Sequence, residues 1–211
     1  MKELSQHVCF DNAQAFARQI DLTPGARTFA WVSGNFIFGD IVEALIVTRG
    51  VSVKRLYVSS LSISQENVDS LKNVMLLMGD ALEALTLILS GWTYSKHKFD
   101  LVPYMYQELD DPMNRVQIVF GRWHAKLISI ETLHGHTVTI HGSANLPSNN
   151  SIEQIMVEID NAELHDFNAR LMDAIAVKYG TINREAQYSK FRPIPQKEAW
   201  EAVTGEALKE V

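Results

Sequence analysis

The sequence predicts an α/β fold, a mixed and mostly parallel β-sheet flanked by helices. Two observations predict it. Through the first half of the chain, short apolar runs of strand type alternate with segments whose apolar residues recur at helical spacing, the pattern of repeated βα units. Beyond Pro112 the pattern changes to three strand-like segments in succession with short breaks, and such a hairpin adds antiparallel pairing to the parallel units.

The elements follow in order. Thr28 to Ser33 forms a buried strand, punctuated by Gly34-Asn35. A helix runs through Ile41, Val42, Leu45 and Ile46 and stops near Gly50. Val53 to Ser59 is the next strand. Ser64 opens a helix that carries Val68, Leu71, Val74 and Met75 and ends before Gly79. Leu85 to Leu89 is a strand, Lys96-His97-Lys98 falls in a loop, and Leu101 to Leu109 is a short helix stopped by Asp110-Asp111-Pro112. Arg115 to Phe120, His124 to Ile130 and Thr137 to Ile140 are strands, and Thr132 to His136 makes a hairpin turn with Gly135 free to take positive φ. Ile155 to Ile159 is the last strand, and Ala162 to Tyr179 is an amphipathic helix that ends at Gly180. Residues 1–180 are expected to form one domain. Residues 181–211 form a more polar tail with Pro193 and Pro195 and a short helix from Glu198 to Lys209.

Composition narrows the function. The chain has 211 residues, enough to bury a full core without staples, and a single cysteine, Cys9, which excludes a disulfide framework. No run approaches the roughly 18 apolar residues of a membrane span, and Met1 to His7 lacks the apolar stretch of a signal peptide. A cytoplasmic protein without a membrane partner is expected. The net charge of −6 argues against a non-specific nucleic-acid coat, while leaving room for a local basic groove.

One region concentrates chemistry. His124-Ala125-Lys126 places an imidazole and an ammonium on one face of an extended segment. Glu131 follows. The next strand delivers Gly142-Ser143-Ala144-Asn145 into a turn beside the pair, and Glu153 comes after it. A nucleophile or acid, a cation and neutral donors together suit a phosphodiester.

This constellation resembles the phospholipase D superfamily, whose signature is His-x-Lys, four residues, Asp, and Gly-Ser-x-Asn downstream. Here His124, Lys126, Gly142, Ser143 and Asn145 match, with Glu131 where the family usually has Asp. The resemblance implies a PLD-like sandwich and a metal-independent phosphodiesterase that needs no cofactor. It implies that His124 attacks phosphorus, that Lys126 and Asn145 bind non-bridging oxygens, and that Ser143 supports them. It further implies that Glu153 orients the His124 ring. Glu131 faces away from His124 by strand parity, so it and Gly142 are support residues, with turn amides the expected partners of Glu131. Arg122 and Trp123 are candidates for the rim. The mechanism takes two histidines and the chain has one motif, so the resemblance implies a homodimer that shares one site.

Other patterns weigh less. His134, His136 and His141 lack the carboxylate or thiolate that would complete a usual metal set. Gly34 to Gly39 has neither a dinucleotide nor a P-loop glycine pattern. The leading expectation is a nuclease acting on DNA or RNA. A non-catalytic PLD-like binding module and a phospholipid hydrolase are the alternatives.

Overall fold

Burial alternates along the strands at 27–32 and 153–159, whereas the β-branched and leucine-rich strands between them are buried nearly throughout, as strands covered on both faces are. The computed structural model describes residues 4–9, 12–33, 36–147 and 150–179. In chain order it comprises β1 (Leu4–Cys9), α1 (Ala13–Gln19), β2 (Arg27–Val32), α2 (Ile41–Arg49), β3 (Val53–Ser60), α3 (Gln65–Met78) and β4 (Ala84–Ser90). There follow α4 (Gly91–His97), α5 (Leu101–Glu108), β5 (Val116–Gly121), β6 (Leu127–Thr132), β7 (Thr137–Gly142), β8 (Glu153–Ile159) and α6 (Ala162–Tyr179). The expected turn at Gly34-Asn35 and the tail helix from Glu198 to Lys209 lie outside the described residues.

The eight strands form one sheet in the order β1-β2-β8-β7-β6-β3-β4-β5. The sheet is mixed, as expected. Six strands run in one direction and only β6 and β8 oppose them. The βα units give the parallel pairs at the two sides, and the β6–β7 hairpin together with β8 makes the antiparallel pairs in the middle. Gly135 turns that hairpin at φ 78°, with its N–H on the Thr132 carbonyl at 3.1 Å.

The two faces are covered unequally. Leu56, Val58, Leu85, Leu87, Ile118 and Ile140 point to the face packed by α1, α2, α3 and α5, and each is at most 1% exposed. Truncating any of these leucines to alanine costs about 2–5 kcal/mol. On the opposite face a smaller cluster, Tyr57, Ile88, Val119 and Leu127, is covered by Met172, Ile175 and Ala176 of α6. The α3 start is fixed by a capping box, in which Ser64 Oγ accepts from Asn67 N–H and Asn67 Oδ1 accepts from Ser64 N–H at 3.1 Å.

The boundary that bears on the motif differs from expectation. The strand expected from His124 begins at Leu127, because the β3 ladder ends with Ser59 opposite Leu127 and offers no backbone partner beyond it.

Candidate active site at the strand ends

The carboxyl ends of β3, β4, β5 and β7 meet at one edge of the sheet, together with the start of β8. The chain leaves β5 at Gly121, crosses this edge as Arg122 to Lys126, and turns down into β6. Two contacts hold the crossing in place. Ser59 Oγ donates to the Ala125 carbonyl at 3.2 Å, and Gly142 N–H donates to the Lys126 carbonyl at 3.4 Å. His124 is exposed and Lys126 half-buried, and Lys126 Nζ lies 2.8 Å from His124 Nδ1. An ammonium there donates, so Nδ1 is the accepting nitrogen in this arrangement.

Gly142 to Asn145 is folded against β8. A Cβ on Gly142 would meet the Gln154 carbonyl oxygen at 2.0 Å, so only glycine lets the two backbones come this close. Ser143 N–H donates to the Gln154 carbonyl at 2.9 Å, and Gln154 N–H returns a bond to Ser143 Oγ at 3.0 Å. The Ser143 hydroxyl itself donates to the Glu153 carboxylate. Asn145 Oδ1 lies 3.5 Å from Ser60 Oγ, which also accepts from Leu146 N–H at 3.2 Å.

The far side of this turn is anchored by residues with no functional signature of their own. The Leu146 carbonyl accepts from Gly39 N–H at 2.9 Å and from Asn67 Nδ2 at 3.4 Å. Asn67 is fully buried, and a Cβ on Gly39 would stand 2.4 Å from its Nδ2. The same side chain thus caps α3 and holds the turn that carries Asn145. The cap at Ser64 is legible in the sequence, and this second use of Asn67 is not. Ser59 and Ser60, a polar pair closing an apolar strand, were the available signal for the other anchors.

Charge at the edge is balanced. Burial pushes the Lys126 ammonium below its ordinary pKa, and the Glu153 carboxylate opposes that shift. His124, Lys126, Ser143, Asn145 and Glu153 therefore sit on neighbouring, mutually braced segments. The Glu153 carboxylate receives the Ser143 hydroxyl, while His124 Nδ1 faces Lys126.

The remaining sequence candidates lie elsewhere or play other parts. Glu131 sits far down β6, where Lys54 Nζ contacts its Oε1 at 2.9 Å and Arg55 Nε lies 3.8 Å from Oε2. Its partners are these β3 cations and not turn amides. Arg122 is exposed at the edge, whereas Trp123 is packed against the cluster under α6. His136 Nδ1 pairs with Asp160 at 2.9 Å and His141 Nε2 with Glu158 at 3.0 Å. The Lys96-His97 part of the expected loop is the last turn of α4.

No family model and no curated protein matches the chain. Solved structures do. Nuc, a phospholipase D family member from Salmonella typhimurium, aligns at TM-score 0.50 and 9% identity over 74% of this chain and 95% of that one. Yeast tyrosyl-DNA phosphodiesterase aligns at TM-score 0.32 and 15% identity, over 51% of this chain and 25% of that one. TrmBL2, an archaeal chromatin protein, aligns at TM-score 0.42 and 8% identity, over 77% and 55%. The likeness of fold is carried by the first of these alone.

Proposed function

We propose that this phospholipase D-like domain is a metal-independent phosphodiesterase, a nuclease that cleaves DNA or RNA through a phosphohistidine at a site shared by two copies of the chain. The observation that carries the reading is the 2.8 Å approach of Lys126 Nζ to His124 Nδ1 at an exposed strand edge, beside the braced Gly142 to Asn145 turn.

The chemistry follows from those groups. A phosphate entering the edge draws the Lys126 ammonium from the imidazole to a non-bridging oxygen, where negative charge grows in the transition state. With Nδ1 released, the exposed ring gives its Nε2 proton to water and takes one from water at Nδ1, and the freed Nε2 lone pair attacks phosphorus. As the N–P bond forms, the P–O bond to the leaving oxygen breaks, and the His124 of the second copy protonates that oxygen. The same group then takes a proton from water, whose oxygen attacks phosphorus and releases His124. Asn145 supplies a neutral donor for the second oxygen. Ser143 and Glu153 brace the turn, and the Glu153 carboxylate opposes the downward push that burial gives the Lys126 ammonium.

The test is hydrolysis of labelled DNA, labelled RNA and an aryl phosphodiester in excess chelator, with His124→Ala and Lys126→Ala as controls. Turnover that persists in chelator and falls at least 1000-fold in each variant, with unchanged melting, is the expected result. Wild-type turnover in His124→Ala would overturn the reading. No turnover by the parent on any substrate would favour the non-catalytic module.

A further inference from the structure

A groove of about 630 Å³ runs beside the candidate site. Its walls are the turn after β3, helix α4, the start of α5, and Pro147, which lies two residues beyond Asn145. On the α4 wall, Trp92 is 52% exposed, and Lys96 Nζ stands 4.6 Å from its ring centroid. Just past the helix the arrangement recurs. Phe99 is 91% exposed, with Lys98 Nζ 5.5 Å from its ring. Two large rings left in water, each with an ammonium over it, stand out on a chain whose net charge is −6. The nearby Asp100 carboxylate is already engaged, accepting from Leu101 N–H at 2.7 Å and lying 3.4 Å from His97.

We propose that this groove receives a single-stranded polynucleotide and leads it to the candidate site, with a base stacked on Trp92 and a phosphate at Lys96. The inference rests on the nucleic-acid reading above and adds the form of the substrate. A single strand alternates flat apolar rings with anionic groups, and the groove wall offers one ring with one ammonium, Trp92 and Lys96, while Phe99 and Lys98 lie outside its lining. An exposed lysine over a ring is a weak contact. Lys96 therefore exchanges the indole for a phosphate as the strand enters, and the vacated face takes a base. A duplex keeps its base faces covered by stacking and cannot use the indole. An anionic lipid surface also attracts aromatic and lysine side chains, but Trp92 lines a groove between α4, α5 and Pro147, a shape that suits a strand better than a flat bilayer.

Binding is measured by fluorescence anisotropy on full-length His124→Ala, which holds the strand without cutting it. The probes are a labelled single strand, the matching duplex, and vesicles of phosphatidylglycerol with phosphatidylcholine. Trp92→Ala is expected to weaken single-strand binding about tenfold, Trp92→Phe to restore most of it, and Lys96→Ala to lower the salt slope by about one. The duplex is expected to bind less tightly than the single strand. Single-strand affinity unchanged in Trp92→Ala would overturn the proposal. So would duplex binding at least as tight as that of the single strand, or a Trp92→Ala defect confined to vesicles. Aryl phosphodiester hydrolysis by the wild-type chain, with its loss in His124→Ala, reports the phosphodiesterase reading separately. That reading survives a failure of the groove, and its own failure is visible without any polynucleotide.

Discussion

Gly142 and Gln154 approach so closely that a Cβ on the first would stand 2.0 Å from the carbonyl oxygen of the second. That oxygen also accepts the Ser143 N–H, so the backbone contact and the seating of the hydroxyl are one arrangement. Gly142→Ala must push β7 from β8 at the point where the turn begins. Overpacking of this kind costs about 1–3 kcal/mol. The expected outcome is a fall in melting temperature of roughly 2–12 °C and a loss of turnover of about 100-fold or more in the protein that remains folded. Wild-type turnover at full stability would show that the close approach does not position the site.

Glu131 tests the opposite case, a residue aligned with the motif and distant from its chemistry. Its carboxylate pairs with Lys54 and Arg55, and these side chains are 26%, 30% and 42% exposed. Pairs this accessible contribute about 0.2–1 kcal/mol. Glu131→Gln is expected to lower the melting temperature by a few degrees at most and to leave turnover at the parental level. A loss of turnover without a change in melting would place Glu131 in the chemistry.

Asp40 supplies a pH dependence. Burial, then the carboxylates of Glu43 and Glu66, push its pKa up to about 6 from 3.8. The folded chain therefore keeps this proton across a window where the unfolded chain has released it. Stability falls as pH rises from about 4 to about 6, and stays lower above that. Discounted for a half-exposed group, the loss is about 1 kcal/mol. Asp40→Asn removes the titration, so it should melt higher than the parent at pH 7, and the gain should vanish at pH 4. An equal difference at both values would mean that the effect is not proton linkage.

Legibility followed the length and locality of the signal. The long α3 and α6, and the strands β2 to β8, are readable because the helices repeat apolar residues at helical spacing and the strands are short apolar runs, most of them bounded by glycine, proline or a cap. The six-residue β1 was not, because it is an edge strand that pairs with β2 alone and lacks a continuous apolar face. The seven-residue α1 and α4 were too short for a helical repeat to stand out. At the candidate site, the motif residues could be read from spacing. Their anchors could not, because Ser60 reaches Asn145 across 85 residues and Asn67 reaches Leu146 across 79. The cations beside Glu131 were hidden for the same reason, since Lys54 comes from a strand 77 residues earlier. Non-local pairing leaves no local periodicity to read.

The shared site can be tested by mixing chains. The sequence holds one histidine–lysine pair with a Gly-Ser-x-Asn segment, and the proposed chemistry takes two imidazoles. A heterodimer of wild-type and His124→Ala chains then has one histidine and is inactive. Random pairing of equal amounts leaves about one quarter of the dimers wild-type on both sides, so activity per dimer falls to about that fraction. Independent sites would leave about one half. Distinct tags and co-refolding ensure exchange, and gel filtration confirms that dimers exist. A monomer, or activity that falls in proportion to the mutant fraction, would place the second imidazole within one chain. His97, His134, His136 and His141 are then the residues to substitute. His141 comes first, since it lies opposite Leu127 in the β6–β7 register, next to the segment that carries Lys126. Its ring is tied to Glu158, so it would have to exchange that carboxylate for the leaving oxygen, and His141→Gln would then abolish turnover.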